Sequence, residues 1–278
     1  MQHDQRANER MSGDAKTGKR TAEAEGPAYA APALEKGLDV LELLCLSEAP
    51  LSQKEIALKL GRTISELYRM IACLVDRGYL TVVDDRYVLT PKLFELAHLN
   101  PPTHRLLTEA MPIMQRLSDE LDQSCHLTVY NQGRQVVVAK VDSPSGMGFS
   151  VRVGAELDVL VSASGRVLLA FQPREIRSFR IEESVRRRPN HADPQILATL
   201  ETVQARGFES SPSVQVRGLY AVSYPILDTQ GRAIAALTVP YAERIDLVHR
   251  KPVTTVEDIL GTAARSLTAR LGGASRAQ

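Results

Sequence analysis

Two capping-box motifs lie close together in the N-terminal third of the chain. The first joins Ser52 to Glu55, and the second joins Thr63 to Glu66. In such a motif a hydroxyl group caps the start of a helix, while the glutamate reaches back to the backbone N–H of the capping residue. Gly61 allows a tight turn between the two helices. This pattern predicts a helix-turn-helix, a motif that many proteins use to place a helix in the major groove of DNA.

A β-hairpin is expected directly after the second helix, which we predict to end at Gly78. Residues 79–83 and 86–90 are rich in β-branched and aromatic side chains, and they flank the pair Asp84-Asp85. This arrangement is typical of two strands joined by a tight turn. A helix-turn-helix followed by a hairpin is a winged helix.

The charge of the predicted winged helix differs from that of most DNA-binding domains. Between residues 33 and 92 the acidic residues outnumber the Lys and Arg residues by one, whereas such domains are usually basic. DNA affinity must therefore depend on where individual cations lie and on dimerisation. A winged helix that contacts another protein is the alternative that this charge permits.

Composition argues against several other classes of protein. No apolar run reaches the roughly 18 residues that span a bilayer, and the polar N-terminus lacks the apolar region of a secretory signal. The three cysteines, Cys45, Cys73 and Cys125, are widely spaced and indicate neither a disulfide framework nor a zinc site. We interpret them as small buried residues in a reducing cytoplasm. We expect a cytoplasmic protein with no metal, no cofactor and no membrane partner.

The enzyme hypothesis has little support in the sequence. The sequence contains no G-x-S-x-G elbow, no P-loop, no dinucleotide-binding glycine motif and no H-E-x-x-H motif. The serine-rich helix start at Ser162 and Ser164 has no evident paired base. We therefore expect no catalytic residues.

Composition and patterning divide the chain into four parts. Residues 1–28 are polar, which is typical of a disordered tail, and residues 29–92 hold the predicted winged helix. Apolar side chains at helical spacing, with a Pro-Pro break, predict a linker helix over residues 93–110. Residues 111–273 interleave strands and helices, and their hairpin turns require antiparallel pairing. We therefore predict an α+β second domain.

The elements of the second domain can be placed approximately. We expect strands at residues 126–130, 135–141, 149–153, 220–227 and 232–239, and helices at residues 162–171, 194–206 and 252–271. The basic run from Arg186 to Arg188 is interpreted as a solvated loop rather than a nucleic-acid patch, because it lies far in sequence from the helix-turn-helix.

Four segments in this order resemble the IclR family of transcriptional regulators. They are residues 61–70 with 76–80, residues 153–154 with 162–171, residues 206–208, and residues 218–226 with Asp228 and Gly231. The resemblance implies a one-component regulator in which a winged helix-turn-helix is joined by a linker helix to a GAF-like effector-binding domain. It also implies double-stranded operator DNA and a small organic acid as partners, and a homodimer or a dimer of dimers as the assembly.

The predicted DNA contacts come from the helix-turn-helix and the wing. Arg69 is the strongest candidate, because a guanidinium group can contact guanine or clamp a phosphate. Glu66 can accept a hydrogen bond from cytosine, but we prefer a role in the capping box alone. The family often has a lysine where this chain has Ile64, which suggests a different operator or a smaller phosphate contribution. The predicted contacts are Ser52, Arg62, Thr63, Ser65, Glu66, Tyr68, Arg69 and, on a phosphate, Arg86. The alternative is a solvated helix face.

The predicted effector site begins with the small residues from Ser162 to Gly165. They precede a helix, so that backbone N–H groups and serine hydroxyls can converge on an anion. The alternative is an ordinary capped helix packed on the sheet. The resemblance to the family implies a pocket formed by Phe149, Leu157, Ala163, Ser164, Ser211, Ala221, Thr238 and Pro240.

Two of these positions bear on the size of the effector. Members that bind very small keto acids have an aspartate where this chain has Ser211, and a cysteine where it has Ala221. Both changes remove polarity and leave room, which favours a larger carboxylate such as an aromatic acid. His126 begins a predicted strand and could face the pocket and titrate near neutrality, although a lone histidine is more often structural.

Overall fold

A computed structural model of the chain describes residues 31–243 and 251–273. The tail predicted for residues 1–28 lies outside the described residues. The chain divides into two compact units between Phe94 and Glu95. Each unit has its own hydrophobic core.

The first unit is a winged helix, as the sequence predicts. Its elements are α1 (Pro32–Cys45), α2 (Gln53–Lys59), α3 (Ile64–Asp76), β1 (Leu80–Val83) and β2 (Arg86–Leu89). The three helices and the first strand surround a small core. The buried side chains of this core include Val40, Leu44, Ile56, Leu67, Ile71 and Leu80.

Local sequence explains the shape of this unit. Both capping boxes form, so that α2 and α3 each begin where the motif predicts. Gly61 has a φ of 62°, a left-handed conformation that suits the turn between the helices. At the tip of the wing, Asp84 and Asp85 have φ values of 49° and 57°. Two left-handed residues match the right-handed twist of a two-residue hairpin, and β1 pairs with β2 from Leu80↔Leu89 to Val83↔Arg86.

Two helices, α4 (Lys92–Leu99) and α5 (Pro101–Leu121), follow the wing. Pro101 and Pro102 occupy the first turn of α5, where a missing N–H is tolerated. Helix α5 continues without a break through residues 110 and 111, where we expected the linker to end and the second domain to begin.

The second unit is built on a six-stranded antiparallel sheet. Its strands are β3 (Cys125–Asn131), β4 (Arg134–Val141), β5 (Glu156–Leu157), β6 (Glu209–Pro212), β7 (Leu219–Leu227) and β8 (Ala233–Ala242), and their order across the sheet is β5-β4-β3-β8-β7-β6. Its further helices are α6 (Ala163–Ala170), α7 (Arg174–Arg187), α8 (Ile196–Arg206) and α9 (Val253–Arg270).

The two faces of the sheet have separate cores. Side chains of one face, such as Leu127 and Leu237, pack with Met114 of α5 and Leu260 of α9. The opposite face contributes Ala236 to a second cluster, which also contains side chains from α6 and α8. Alternation along the strands produces this division, because neighbouring residues point to opposite faces.

The structure differs from the sequence expectation in two elements of this unit. Residues 149–153, expected to be a strand, are not in one, and the short strand β5 follows at Glu156 instead. There Ala155 accepts a hydrogen bond from the N–H of Val137 at 3.0 Å. The basic run from Arg186 to Arg188 was expected to lie in a loop, but its first two residues belong to helix α7, which extends to Arg187. That helix buries only Ser184 and so lacks the apolar periodicity that would have predicted it.

The cysteine interpretation is correct for one residue and wrong for two. Cys125 is buried, and burial raises the pKa of its thiol to about 12. Cys45 and Cys73 are exposed. They lie on the solvent faces of short helices whose opposite faces supply the core, a distinction that composition cannot make.

Candidate functional site

Helix α3 presents a polar face to solvent in the first unit. Ser65, Tyr68 and Arg69 are exposed, and Tyr68 retains 62% of its accessible surface. Within the described part of the chain, the guanidinium group of Arg69 has no hydrogen-bond or ion-pair partner. These three predicted residues are therefore free to contact DNA.

Other cations of this unit are held by carboxylates. Arg62 Nη2 lies 2.9 Å from Asp39 Oδ2, and Lys36 Nζ lies 3.2 Å from Glu66 Oε1. Each pair is partly exposed, so its contribution to stability is small. Each pair has no net charge, however, so pairing lowers the positive charge that this surface presents.

Arg86 is held in the same way, while its side chain stays partly exposed. Its Nη1 donates to Glu55 Oε2 at 2.8 Å and to the carbonyl oxygen of Pro50 at 2.9 Å. These bonds tie β2 to the start of α2, and the contact with a phosphate stays a prediction. Glu55 belongs to the first capping box, so the same carboxylate serves Ser52 and Arg86.

The second capping box occupies the start of α3. The backbone N–H of Thr63 donates to Glu66 Oε2 at 2.8 Å, and its hydroxyl donates to the same oxygen at 2.9 Å. These bonds, together with Lys36, lower the pKa of Glu66 to about 2. The capping role of Glu66 is therefore confirmed, and its contact with a base stays a prediction.

The second unit contains a cavity beside the start of α6. Its empty volume is about 600 Å³, part of which is open to solvent. The residues that the family resemblance implied as effector contacts all line it: Phe149, Leu157, Ala163, Ser164, Ser211, Ala221, Thr238 and Pro240. They come from α6, β5, β6, β7, β8 and the segment before β5, and only tertiary folding brings them together.

One wall of the cavity was missed by sequence reasoning. Residues 213–216, between β6 and β7, contribute side chains that include Val214 and Gln215. Ser213 organises this turn, because its hydroxyl accepts the N–H groups of Gln215 and Val216 at 3.2 and 3.1 Å. The Pro-Ser pattern predicts a turn, but no sequence signal places that turn over the cavity.

The start of α6 is well defined by its neighbours. The Ser162 hydroxyl accepts the N–H of Gly165 at 3.1 Å, and it is also bonded to the carbonyl oxygen of Asp158 and to Gln135. Ser162 is therefore a structural cap rather than a free anion ligand. The N–H groups of Ala163 and Ser164 lie in the first turn, where no intrahelical acceptor exists.

Gly165 allows this helix start to approach the preceding segment closely. A Cβ atom at this position would lie 2.1 Å from the carbonyl oxygen of Val159 and 2.5 Å from its Cα. Only glycine fits, because backbone atoms cannot move away as a flexible side chain would. The close packing positions Ala163 and Ser164 on the cavity wall.

His126 lies on the cavity wall and is almost fully buried, with 4% of its surface exposed. Burial lowers the pKa of its imidazole to about 4. The expectation that it faces the pocket is correct, but the expectation that it titrates near neutrality is wrong for the protein without ligand. The imidazole is neutral at pH 7.

The described residues show neither a metal centre nor a membrane span. Residues 31–243 and 251–273 contain no group of three or more His, Cys, Asp or Glu side chains that could hold a metal ion. None of the helices in these ranges is long and apolar enough to cross a bilayer.

Comparison with known protein families agrees with both halves of the structure. Residues 33–84 match the IclR helix-turn-helix domain, and residues 102–269 match the domain described as bacterial transcriptional regulator IclR C-terminal. The second match alone covers more than half of the chain. The protein belongs to the IclR family.

Individual relatives are distant but span most of the chain. This chain is 25% identical over 225 residues to the HTH-type transcriptional regulator KdgR of Escherichia coli. The match covers 78% of this chain and 84% of that protein. It is also 25% identical over 211 residues to the Pca regulon regulatory protein of Pseudomonas putida. That match covers 74% of this chain and 72% of the relative. Both relatives are named as regulatory proteins.

Solved structures share the same fold. An IclR homologue from Microbacterium hydrocarbonoxydans, complexed with 4-hydroxybenzoate, superposes with a TM-score of 0.71 at 23% identity and covers 86% of this chain and 99% of its own. The Thermotoga maritima IclR superposes with a TM-score of 0.65 at 22% identity and covers 86% and 98%. The predicted family and the α+β fold class are confirmed.

Proposed function

We propose that this IclR-type protein binds a specific double-stranded operator through α3, under the control of a small organic acid that occupies the cavity of its second unit. The observation that carries the DNA-binding half is the exposed face of α3, with Arg69 unpaired beside Ser65 and Tyr68. We further propose that the target is a catabolic operon, and a relative named as the regulatory protein of the Pca regulon is in line with control of a set of genes.

The charge of the first unit supports a homodimer or a dimer of dimers. Arg62, Lys36 and Arg86 each have a carboxylate partner, so a single copy presents less positive charge to phosphates than its count of Lys and Arg residues suggests. Two copies at operator spacing double these contacts, and paired helix-turn-helix units commonly bind two half-sites in this way. We place the protein in the cytoplasm, where operator DNA is found.

The lining of the cavity supports an aromatic acid as effector. Phe149, Leu157 and Ala221 offer apolar surface, while Ser164 and the start of α6 offer polar groups at one end. An aromatic carboxylate has the same division into an apolar ring and an anionic end. The 4-hydroxybenzoate complex of a protein with this fold is in line with this choice.

We propose no catalytic activity. The Ser162 hydroxyl is engaged as a helix cap, and among the described residues of the cavity wall the buried His126 is the one titratable base near Ser164. A purified acid that binds should therefore be recovered unchanged. Turnover that is lost in Ser164→Ala would contradict this part of the proposal.

The DNA-binding role is tested by replacing Arg69. We expect Arg69→Ala to lose specific binding to the DNA upstream of its own operon by about tenfold to a hundredfold, because one arginine–base contact contributes about 1–3 kcal/mol. Arg69→Lys should recover little, since lysine lacks the planar fork. Binding is measured by gel shift over a series of salt concentrations.

A matched control separates the contact from the loss of charge. Arg186→Ala removes one exposed arginine from α7, outside the helix-turn-helix, and should leave operator binding unchanged. Circular dichroism must show that Arg69→Ala remains folded. Absence of sequence-specific binding by the unchanged protein at low salt would contradict the regulator proposal and favour a winged helix that contacts protein.

The effector is tested by a thermal-shift screen of aromatic and short aliphatic acids. We expect benzoate or 4-hydroxybenzoate to raise the unfolding temperature of the second unit more than pyruvate or glyoxylate does. A protein that binds ligand only when folded gains stability in proportion to the logarithm of ligand concentration over Kd. Stabilisation by the two-carbon and three-carbon acids alone would contradict the aromatic assignment.

A further inference from the structure

His126 is a buried polar side chain without a partner. It lies on the cavity wall with 4% of its surface exposed, and its ring nitrogens have no hydrogen-bond partner in the described part of the chain. Buried polar groups in folded proteins are nearly always hydrogen-bonded to protein or to water, so these nitrogens take their partner from the contents of the cavity. A ligand in the cavity would supply the missing partner.

The cavity has no permanent cation to balance an anion. Among the described residues that line it, His126 is the one side chain that can carry a charge. The start of α6 contributes N–H groups and a partial positive charge, but the Ser162 hydroxyl is already engaged as its cap. A carboxylate that loses its water in this cavity therefore meets helix N–H groups and one neutral imidazole.

The neighbours of His126 do not provide a counter-charge directly. It is directly opposite Thr238 of β8 and Lys140 of β4. The Lys140 ammonium is engaged by both carboxylate oxygens of Asp142, at 2.9 and 2.8 Å. The Thr238 hydroxyl is 2.8 Å from that of Ser223, the next residue across the sheet.

One further ion pair faces the same side of the sheet. Arg166 of α6 lies 3.8 Å from Glu209 of β6, and Glu209 is directly opposite Ser223. This pair carries no net charge, as is true of Lys140 with Asp142. The lowered pKa of His126, about 4, has burial as its cause and no charged neighbour. An arriving anion would thus be the first charge to act on the imidazole.

On the basis of the proposed function, we infer that His126 binds the carboxylate of the effector and takes up one proton as it does so. The geometry supports this assignment, because the imidazole and the start of α6 line the same cavity and no described residue hydrogen-bonds the imidazole. The site would then recognise an organic acid through a charge that appears only on binding.

The pH dependence of binding follows from the sign of the change. In the free protein the pKa of His126 is depressed to about 4, and a bound carboxylate raises it because opposite charges favour the protonated imidazole. Between the free and bound values, binding consumes a proton, so affinity falls as pH rises. If the bound pKa reaches about 7, affinity falls roughly tenfold between about pH 6 and about pH 8.

Isothermal titration calorimetry tests the inference on the full-length protein, with benzoate and 4-hydroxybenzoate as probes. Titrations near pH 6 in two buffers of different ionisation enthalpy measure the protons taken up on binding. We expect close to one proton for each acid bound, together with the roughly tenfold loss of affinity by about pH 8. Both acids are already ionised over this range, so they do not contribute to the dependence.

Two variants locate the proton. His126→Gln keeps a hydrogen-bonding group of similar length but cannot take a charge, so it should bind without proton uptake and with little pH dependence. His104→Gln changes an exposed histidine of α5 and should retain the full uptake. If His126→Gln fails to fold, the proton count of the unchanged protein still decides.

The outcomes separate this inference from the proposed function. Binding of either acid with no proton uptake and no change with pH would overturn the role of His126 and leave the organic-acid effector in place. Uptake that persists in a folded His126→Gln variant would do the same. Absence of binding by both probes, and by all acids of the thermal-shift screen, would overturn the effector proposal and this inference with it.

Discussion

Helices α3 and α6 begin with the same local chemistry, but the two starts differ in what neutralises them. Thr63 caps α3 and Ser162 caps α6, each through a hydroxyl that accepts a backbone N–H. Glu66 places a carboxylate at the start of α3, whereas the first turn of α6 contains no acidic residue. The positive end of α3 is thus satisfied within the protein, and that of α6 faces a cavity.

The surroundings of the two helices extend this difference. Around α3, cations such as Arg62 and Lys36 are partly exposed and paired with carboxylates. Around the start of α6, the cavity wall contains one titratable side chain among its described residues, the buried and neutral His126. DNA would have to compete with internal carboxylates for some cations of the first unit, while an acid in the cavity would compete with none.

The largest effect is expected where the start of α6 is held most tightly. Gly165→Ala would bring a Cβ atom to 2.1 Å from the carbonyl oxygen of Val159. We expect the second unit to lose about 3 kcal/mol or more of unfolding free energy, because backbone atoms on both sides must move. Urea denaturation, followed by circular dichroism and by acid binding, measures the loss.

The control for this change is a helix glycine with free space around it. A Cβ atom at Gly37 of α1 would meet nothing within 4 Å, so Gly37→Ala should stabilise the first unit by about 0.5–1 kcal/mol. If Gly165→Ala is equally well tolerated, the close approach at the start of α6 does not require glycine at this position.

An intermediate effect is expected when one carboxylate of the first unit is neutralised. Asp39→Asn releases Arg62 from its ion pair and adds a free cation near α3. We expect non-specific DNA affinity at low salt to rise several-fold and the slope of log K against log salt to steepen by about one. Fluorescence anisotropy with a labelled duplex of unrelated sequence measures both quantities.

Asp142→Asn is the matched control for that measurement. It also frees a cation, Lys140, but in the second unit. DNA affinity should remain as in the unchanged protein. An equal rise in both variants would show that net charge alone governs DNA binding, and would remove the significance that we attach to pairing around α3.

The smallest effect concerns the pH dependence of the two helix caps. The pKa of Glu66 is lowered to about 2, mainly by the backbone N–H of Thr63. A depressed carboxyl pKa contributes stability above the unfolded value of about 4.5, and that contribution is lost as pH falls towards 2. Glu66→Gln should therefore be less stable than the unchanged protein near neutrality, and the difference should shrink in acid.

Thermal unfolding followed by circular dichroism between about pH 6 and about pH 3 measures this trend. Ser162→Ala provides the comparison, since the cap of α6 uses no carboxylate of its first turn. Its destabilisation should change little over the same range. A Glu66→Gln difference that is constant with pH would contradict the lowered pKa.

The first unit could be predicted closely because its signals are local. The expected start of α3 after Thr63 agrees with the structure, and the wing forms about Asp84 and Asp85 as the turn pattern indicates. Caps and tight turns depend on residues three or four apart. The sequence could not predict that Arg86 binds Glu55, because the partners are far apart along the chain and meet only when the wing packs against α2.

The second unit was predicted less completely. Its long hairpins were found from their turn residues, but α7 and the short strands β5 and β6 were not. Helix α7 has little apolar periodicity, and β5 consists of two residues. The cavity residues came from the family resemblance rather than from periodicity, and the structure brings them around one space. Their role in binding an acid stays a prediction.

The sequence by itself determined the helix-turn-helix, the wing and the two-part organisation of this protein, because caps, turns and hydrophobic periodicity act over a few neighbouring residues. Only the tertiary structure decided which cations of the first unit are paired, which N–H groups at the start of α6 face a cavity, and that His126 is buried and neutral there. Burial and charge pairing depend on residues distant in the chain, so they emerge only when the sheet and its helices pack together.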